Sequence, residues 1–253
     1  MCAEQTEGRV VIRIAGTDRH KFLHGLVTRD PVPGGMAYSA LLSPQGKFLA
    51  DFFLIDRDDD ILLDVTELFA DGLLQRLKMY KLRSDVTLEV TDMPVTQGLD
   101  VAPEGAFDDP RDPHLGWRAY GMTGGPPQID WDAIRVAHNI PQSGVELLSN
   151  ETYILEAGFD RLGGVDHSKG CYVGQEVTAR MKHKTVLRKG YVTVSIDGSA
   201  EVGTPVMLGE RAVGMLFTQS GDQAIAYLRF DRAGAGMTAG QAQITWDGAE
   251  AAQ

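Results

Sequence analysis

One stretch of the sequence combines a nucleophilic side chain with a concentration of positive charge. It reads HSKGCYVGQEVTARMKHK and covers residues 167–184, with Cys171 inside the tight segment GCYVG. Residues 169–189 contain six Lys or Arg and a single acid, Glu176. Because nearby cations favour a thiolate over a thiol, the pattern predicts that Cys171 is available as a thiolate. The same charge could also hold an anionic ligand.

The letters after the cysteine, QEVTARM, predict the start of a helix. Glu176 and Arg180 are four residues apart and can pair across one turn, while Val177 and Met181 would face the core. Cys171 would then lie close to a helix N-terminus, where backbone N–H groups and the helix dipole further favour the thiolate.

Three kinds of chemistry remain open for this thiol. It could act as a nucleophile, for which His167 and His183 are the nearest candidate bases in sequence. It could be a ligand of a metal or of an iron–sulfur cluster. A cluster normally takes four protein ligands, so a partner would have to supply the others. It could also be a small buried residue in a turn, as free cysteines often are. The other cysteine, Cys2, is interpreted as an idle thiol near the terminus.

The composition argues against several classes of protein. The chain has 253 residues, 43% of them hydrophobic and 23% charged, and a formal net charge of −11. This negative charge argues against nucleic-acid binding, and no apolar run approaches the roughly 18 residues of a membrane span. The opening MCAEQTEGRVVIRIAG has early acids and no positive leader, unlike a secretory or transit peptide. We therefore expect a cytoplasmic protein without nucleic-acid or membrane partners.

The first half of the chain alternates patterns of strands and helices. RVVIRIAG predicts a strand, followed by a helix capped by Thr17 or Asp18. AYSALLSPQGKFLADFFLID predicts a β-hairpin with Gly46 in its turn, and DILLDV another strand. Thr66 opens a helix whose apolar stripe is predicted to comprise Leu68, Phe69, Leu73, Leu77 and Tyr80, and DVTLEV closes this unit as a strand. His20 and His24 are spaced to chelate a metal, but without a third ligand they are interpreted as surface histidines.

The second half predicts a loop-rich connection and a small all-β unit. Residues 102–128 are rich in Pro, Gly and Asp, with a short strand at WRAYG, and DWDAIRVAHN predicts a short helix. After the signature, GYVTVSID, TPVMLG, RAVGMLFTQS and QAIAYLRF predict the strands of a small sandwich or barrel. The predicted fold class is α+β, with one region over 1–185, a boundary near 102–128, and a C-terminal β-barrel and tail over 186–253.

KGCYVGQE followed by TAR closely resembles the signature of the YgfZ-type proteins. These are a branch of the glycine-cleavage T-protein (aminomethyltransferase) superfamily. IAGTDRHKFLHGLVTRD, LLSPQGKFLADFFL and IRVAHNIPQSGVEL resemble further segments of that superfamily in the same order. The resemblance implies two interleaved α+β subdomains around a central folate pocket, with an appended small β-barrel.

The resemblance also implies a function. YgfZ-type proteins bind tetrahydrofolate or a one-carbon derivative and assist assembly or repair of iron–sulfur proteins, so partners would be iron–sulfur carrier or client proteins. The essential motif cysteine matches Cys171, a candidate ligand of a transient cluster shared with a partner. The other matched signature residues are Lys169, Gly170, Gly174, Gln175, Glu176 and Arg180, of which Lys169 and Arg180 join Cys171 as candidate reactive residues.

For folate, the resemblance points to a carboxylate that accepts hydrogen bonds from the amino-pyrimidine edge of the pteridine. Glu156 in YILEAGFD resembles the segment that carries this acid; the alternative is a glutamate on a helix surface. The anionic tail could meet Lys182, Lys184, Arg188 or Lys189. The candidate folate-binding residues are therefore Glu156, Gln175, Glu176, Asp92 and Lys182.

Two other functions stay open. A true aminomethyltransferase needs an aspartate near the folate nitrogens, and LEVTDMPVTQG loosely resembles the segment that carries it, which makes Asp92 the candidate. An Asp before Met-Pro is also a common turn former. The remaining alternative is a non-enzymatic folate-binding adaptor in which Cys171 is purely structural.

Overall fold

The structure is a computed structural model that describes residues 3–184 and 186–248. In chain order, the elements up to residue 120 are β1 (Glu4–Gln5), β2 (Arg9–Ala15), α1 (Arg19–His24), β3 (Met36–Leu42), β4 (Phe48–Asp56), β5 (Asp60–Thr66), α2 (Glu67–Lys81), β6 (Thr87–Thr91), β7 (Val95–Gly98), β8 (Phe107–Asp108), a 3-10 helix (Pro113–Leu115) and β9 (Trp117–Tyr120). The later elements are α3 (Trp131–Ala137), α4 (Gln175–Lys184), β10 (Lys189–Asp197), β11 (Pro205–Leu208), β12 (Arg211–Ser220), β13 (Gln223–Arg229), β14 (Met237–Ala239) and β15 (Ala242–Thr245).

A five-stranded sheet in the order β3-β4-β5-β2-β6 forms the centre of the first region. Its strands and the hairpin at Gly46 confirm the predictions made from alternating apolar residues. Helices α1 and α2 cover one face, and Ile12, Leu54 and Leu63 pack there against Leu23 and Leu77. This burial of apolar side chains from both layers supplies the main stabilising contribution in the region.

Two local predictions in this region were wrong in detail. Asp18 occupies the N-cap of α1, but its side chain makes no cap hydrogen bond. Instead the Thr17 hydroxyl donates to Asp85 (2.7 Å), and the backbone N–H of Asp85 donates to Asp18 (2.9 Å). These residues therefore join α1 to the chain just before β6. On α2, Leu68 and Tyr80 are 66% and 40% exposed rather than buried.

A second sheet, in the order β1-β7-β9-β8, lies beside the first. The buried carboxylate of Asp64 on β5 links the two sheets. It accepts hydrogen bonds from Arg9 (2.7 Å) and from the Tyr120 hydroxyl on β9 (2.9 Å), and Arg118 on β9 lies 3.9 Å away. Arg118 also donates to Asp109 (3.0 Å). Because an unpaired buried charge is costly, this set of mutual partners fixes how the sheets sit together.

The C-terminal strands close into a barrel in the order β10-β13-β12-β11-β14-β15. The four predicted strands correspond to β10 to β13, and β14 and β15 complete the closure. The barrel is attached through α3, where Val136 packs against Phe217 and Ile225. Glu146 strengthens this attachment by accepting a hydrogen bond from the Thr218 hydroxyl (2.6 Å). The α+β fold class with a small C-terminal barrel is confirmed.

No helix among the described residues has both the length and the apolar character needed to span a bilayer.

Acidification should destabilise the protein through Asp109. Burial acts to raise its pKa, but ion pairs with Arg111 (2.8 Å) and Arg118 (3.0 Å) outweigh burial and lower the pKa to about 2. A lowered folded-state pKa contributes stability that is present above the unfolded value of 3.8 and is lost as the pH falls towards 2. The shift corresponds to roughly 2–3 kcal/mol. Urea unfolding of the wild type and Asp109→Asn at pH 5, 4 and 3 measures this loss.

The difference in unfolding free energy between the wild type and Asp109→Asn should shrink as the pH falls. Asp108→Asn, at the exposed neighbouring position, is the matched control and should lose much less stability than Asp109→Asn at pH 5. An Asp109→Asn difference that does not change with pH would contradict the ion-pair assignment.

Candidate functional site

The signature loop, residues 169–174, brings Cys171 to the surface. Cys171 is a free, exposed cysteine. The next side chain, Tyr172, turns inward and packs in the main hydrophobic cluster. The interpretation of the cysteine as a small buried turn residue is therefore wrong. A thiol that reacts or binds a metal must be reachable, and this one is.

Lys169 anchors the upstream end of the signature loop. Its ammonium donates to the backbone carbonyl of Val27 (2.7 Å) and to Asp30 (2.6 Å), and its side chain is only 2% exposed. It also lies 5.4 Å from the centre of the Tyr172 ring. Burial lowers the pKa of Lys169 below its ordinary value, although Asp30 opposes the shift. Lys169 thus holds the signature loop against the segment that follows α1.

The signature loop crosses the C-terminal end of α1. Nδ1 of His24 donates to the Asp30 carboxylate (2.7 Å), which also accepts from Lys169, so Asp30 joins His24 to Lys169. A Cβ added at Gly170 would lie 3.0 Å from Nε2 of His24, so the loop passes close to this imidazole. A cavity of about 350 Å³ opens alongside, lined by His20, Lys21, His24, Asp30 and Pro31. The sequence pattern did not reveal that His24 adjoins the loop, because the two segments are far apart in the chain.

Two glycines hold the downstream end of the loop against the β3–β4 hairpin. Gly174 has φ +84°, and a Cβ there would meet the carbonyl oxygen of Ser43 at 2.6 Å. Gly46, in the hairpin turn with φ +73°, would place a Cβ 2.7 Å from Cβ of Val177 on α4. Gly174 therefore packs directly on the backbone of Ser43, Gly46 packs on the side chain of Val177, and neither position leaves room for a side chain.

Several cations of the segment around Cys171 are paired with carboxylates. Arg180 pairs with Glu176 across one turn of α4 (3.0 Å), as predicted, and both side chains are exposed. Lys182 pairs with Asp160, which also accepts from His167 (2.8 Å). In addition, α4 begins at Gln175, four residues after Cys171, so the thiol lies outside the first turn. The side chain of Lys184 lies outside the described part of the chain. The sequence predicted that nearby cations would favour the Cys171 thiolate. The structure shows an exposed thiol on a held backbone, with Arg180 and Lys182 paired to carboxylates.

Glu156 lies where the loop after α3 meets the barrel. Its carboxylate is 8% exposed, accepts a hydrogen bond from the Tyr227 hydroxyl (2.6 Å) and lies 3.6 Å from Lys189. The rings of Tyr227 and Tyr191 are 5.1 Å apart beside it. Burial, and then the hydrogen bond to Glu156, raise the pKa of Tyr227. The alternative interpretation of Glu156 as a glutamate on a helix surface is wrong, because the residue is buried and lies in a series of turns.

The other candidate folate-binding residues lie elsewhere. Gln175, Glu176 and Lys182 belong to α4, and Asp92 follows β6. Within the described residues, no hydrogen bond or ion pair joins any of them to Glu156. Their part in binding folate stays a prediction.

Comparisons with known proteins agree with the signature. Residues 188–252 match the family model of the CAF17 C-terminal β-barrel domain. The chain is 33% identical over 224 residues to the iron–sulfur cluster assembly factor IBA57 homolog, mitochondrial, of Mycosarcoma maydis, a match that covers 74% of this chain and 55% of that protein. It is 30% identical over 234 residues to mitochondrial IBA57 of Mus musculus, covering 76% and 65%. IBA57 iron–sulfur cluster assembly factors are homologues of this chain. The chain spans between half and two thirds of the length of these relatives.

Among solved structures, the glycine cleavage system aminomethyltransferase T from Bartonella henselae superposes with a TM-score of 0.74. The match covers 96% of this chain and 83% of that one, at 12% sequence identity. At this identity the likeness shows a shared fold only. It accords with the superfamily implied by the signature, while the YgfZ-type branch stays a prediction.

The comparisons correct one expectation. The sequence predicted a cytoplasmic protein, but the IBA57 relatives are named as mitochondrial, including that of Homo sapiens. These names contradict the cytoplasmic prediction and point to the mitochondrion.

Replacing Gly46 by alanine should destabilise the protein more than its left-handed backbone alone explains. Alanine at φ +73° costs roughly 1 kcal/mol. The contact of its Cβ with Val177 should add about 1–3 kcal/mol, as overpacking does elsewhere. Urea unfolding of the purified variant measures the total loss in unfolding free energy.

Gly209→Ala is the matched control, because Gly209 has φ +61° and nothing within 4 Å of an added Cβ. This variant should lose only about 1 kcal/mol. Equal losses at the two positions would show that the hairpin turn does not pack against α4.

Proposed function

We propose that this protein is an iron–sulfur cluster assembly factor of the YgfZ type, in which Cys171 is the residue that contacts the cluster. The observation that carries the proposal is the exposed thiol of Cys171, presented on a loop whose backbone is held at both ends. The homology to the IBA57 assembly factors supports it.

The number of thiols favours a shared cluster over a resident one. Clusters of the [4Fe–4S] type are normally held by four cysteine thiolates. Among the described residues, Cys171 is the one free cysteine. A cluster could therefore be held here only jointly, with a carrier or client protein supplying the remaining ligands. This requirement suits a protein that assists transfer.

The loop geometry suggests how Cys171 would act. To bind iron, the Cys171 thiol would lose its proton, and Sγ would form a bond to one iron of the incoming cluster as the bond from that iron to its previous ligand breaks. The displaced ligand would take up the released proton and leave with the carrier or the solvent. No change of oxidation state is needed for this exchange. Lys169 and Gly174 would keep the backbone of the signature loop still while the exposed sulfur meets the partner. A thiol held in this way loses little conformational entropy on binding.

We further propose that Glu156 binds the amino-pyrimidine edge of tetrahydrofolate or a one-carbon derivative. The donor set is compatible with this ligand. Oε2 of Glu156 accepts from Tyr227, while Oε1 makes no hydrogen bond within the described residues and lies 3.6 Å from Lys189. Two tyrosine rings border the carboxylate, and aromatic rings are favourable surfaces for a flat heterocycle. Tetrahydrofolate would supply a reduced pteridine able to carry one-carbon units.

The rival activity, aminomethyl transfer, would use Asp92 beside the folate. The likeness to an aminomethyltransferase concerns the fold alone, at 12% identity. Detectable transfer of a methylene group from an aminomethyl-lipoyl carrier, abolished by Asp92→Asn, would establish that activity. We expect no such transfer from the purified protein.

Cys171→Ser should abolish the protein's support of iron–sulfur enzymes. In cells lacking the native gene, activity of a [4Fe–4S] enzyme should stay at the level of the empty vector, because a serine hydroxyl is a poor substitute for a thiolate ligand. Cys2→Ser is the control and should restore activity fully. Binding of tetrahydrofolate by purified Cys171→Ser should be unchanged. Full rescue by Cys171→Ser would instead favour the adaptor, in which the cysteine has no chemical part.

Glu156→Gln should weaken binding of tetrahydrofolate about 10- to 100-fold, since hydrogen bonds to a charged group contribute roughly 1.5–3 kcal/mol. Calorimetric titration of the purified protein measures the dissociation constant. Glu151→Gln, an exposed glutamate in the same segment, should bind as the wild type does. Equal affinities for both variants would rule out Glu156 as the pteridine ligand.

A further inference from the structure

Three side chains away from the signature loop converge on one point. They are Asp112, His114 and His138, and one ligand atom from each lies within 4.8 Å of the other two. Asp112 and His114 belong to the 3-10 helix and its N-cap, while His138 caps the C-terminal end of α3. In the described part of the chain, this is the one set of three His, Cys, Asp or Glu residues that meets this criterion.

The two imidazole rings share one carboxylate. Nδ1 of His114 lies 2.8 Å from Oδ1 of Asp112, and Nδ1 of His138 lies 3.9 Å from Oδ2. The rings stack with their centres 3.8 Å apart and their planes 21° from parallel. Bond lengths of about 2.0–2.1 Å around a tetrahedral ion place its ligand atoms about 3.4 Å apart. The two carboxylate–nitrogen separations bracket this value. Because an imidazole nitrogen binds a metal through a lone pair in the plane of its ring, one of the stacked rings must turn out of the stack for both histidines to reach one ion.

The carboxylate is held ready for this role. The backbone N–H of His114 donates to Oδ1 of Asp112 (2.9 Å), which fixes the carboxylate at the start of the 3-10 helix. His138 is half-buried while His114 is exposed. One side of the three-residue site is therefore open to a water ligand.

We propose that Asp112, His114 and His138 form a binding site for one divalent transition-metal ion of the Zn²⁺ class. Two neutral imidazoles and one carboxylate are ligands that suit Zn²⁺, Co²⁺ or Fe²⁺. They do not suit Ca²⁺ or Mg²⁺, which require several oxygen ligands. The site is independent of Cys171 and of the proposed cluster chemistry. An ion there would tie the loop before β9 to α3, the helix that attaches the barrel.

The test is a metal titration of the full chain after treatment with a chelator. Co²⁺ should produce visible d–d absorption that saturates at one ion per chain, and added Zn²⁺ should displace it. Asp112→Asn, which can still cap the 3-10 helix, and His138→Asn should each weaken binding at least about tenfold, as loss of a direct ligand does. Saturating Zn²⁺ should raise the melting temperature of the wild type and not that of His138→Asn.

Two controls decide where the ion binds. His20→Asn removes a histidine that pairs with one carboxylate, Asp56 (3.5 Å), without a third ligand nearby, and should bind Co²⁺ as the wild type does. Cys171→Ser should also leave the titration unchanged. Absence of saturable Co²⁺ binding, or binding that survives in His138→Asn, would overturn the proposal. Asp112, His114 and His138 would then serve only as a hydrogen-bonded link between the loop before β9 and α3. Loss of binding in Cys171→Ser alone would assign the ion to the thiol and would also overturn it.

Discussion

The close packing of the β3–β4 turn against the signature loop and α4 is the constraint on which the site depends. Gly46 and Gly174 make this approach possible because neither carries a Cβ. If the turn stood farther out, α4 would lose the surface on which Val177 rests. The alternation that buries Tyr172 and exposes Cys171 follows from this fixed position of the backbone. Accessibility of the sulfur thus depends on how the β3–β4 turn holds the signature loop.

Charged side chains paired inside the protein complete the architecture. Asp64 holds the two sheets together, and Asp30 holds the signature loop to the end of α1. Glu146 does the same for the barrel: it accepts from Thr218 and lies 3.3 Å from Arg135 of α3. Each carboxylate has partners from segments far apart in the chain. Such pairs contribute little net stability compared with apolar packing, but breaking one leaves a buried charge without a partner. They therefore define which packing arrangement is allowed.

Local patterns explain which elements could be predicted from the sequence. Strands β2 to β5, helices α2 and α4, and the turn at Gly46 have clear periodicity or turn residues, and the Glu176–Arg180 pair follows from helix geometry alone. Strands β1 and β8 have two residues each, too few to carry a periodic signal. The short strand β7 was missed for the same reason.

Long-range pairing also explains what the sequence could not show about the site. The count of cations around Cys171 was correct, but their carboxylate partners, such as Asp30 and Asp160, come from other segments. Likewise, the sequence identified Glu156 by resemblance, and only the fold reveals its burial beside Tyr227. His138 is separated from Asp112 by more than twenty residues, a spacing that matches no common metal motif.

The open position of Cys171 has a consequence for the durability of the protein. A sulfur that any partner can reach can also be reached by peroxide, which converts a thiolate first to a sulfenic acid and then to irreversible higher acids. Within the described residues there is no second cysteine that could trap the sulfenic acid as an internal disulfide. A small thiol such as glutathione in the surrounding solution could reduce the sulfenic acid back to the thiol. The working life of each molecule would then be governed by the reducing power of its compartment as much as by the stability of its fold.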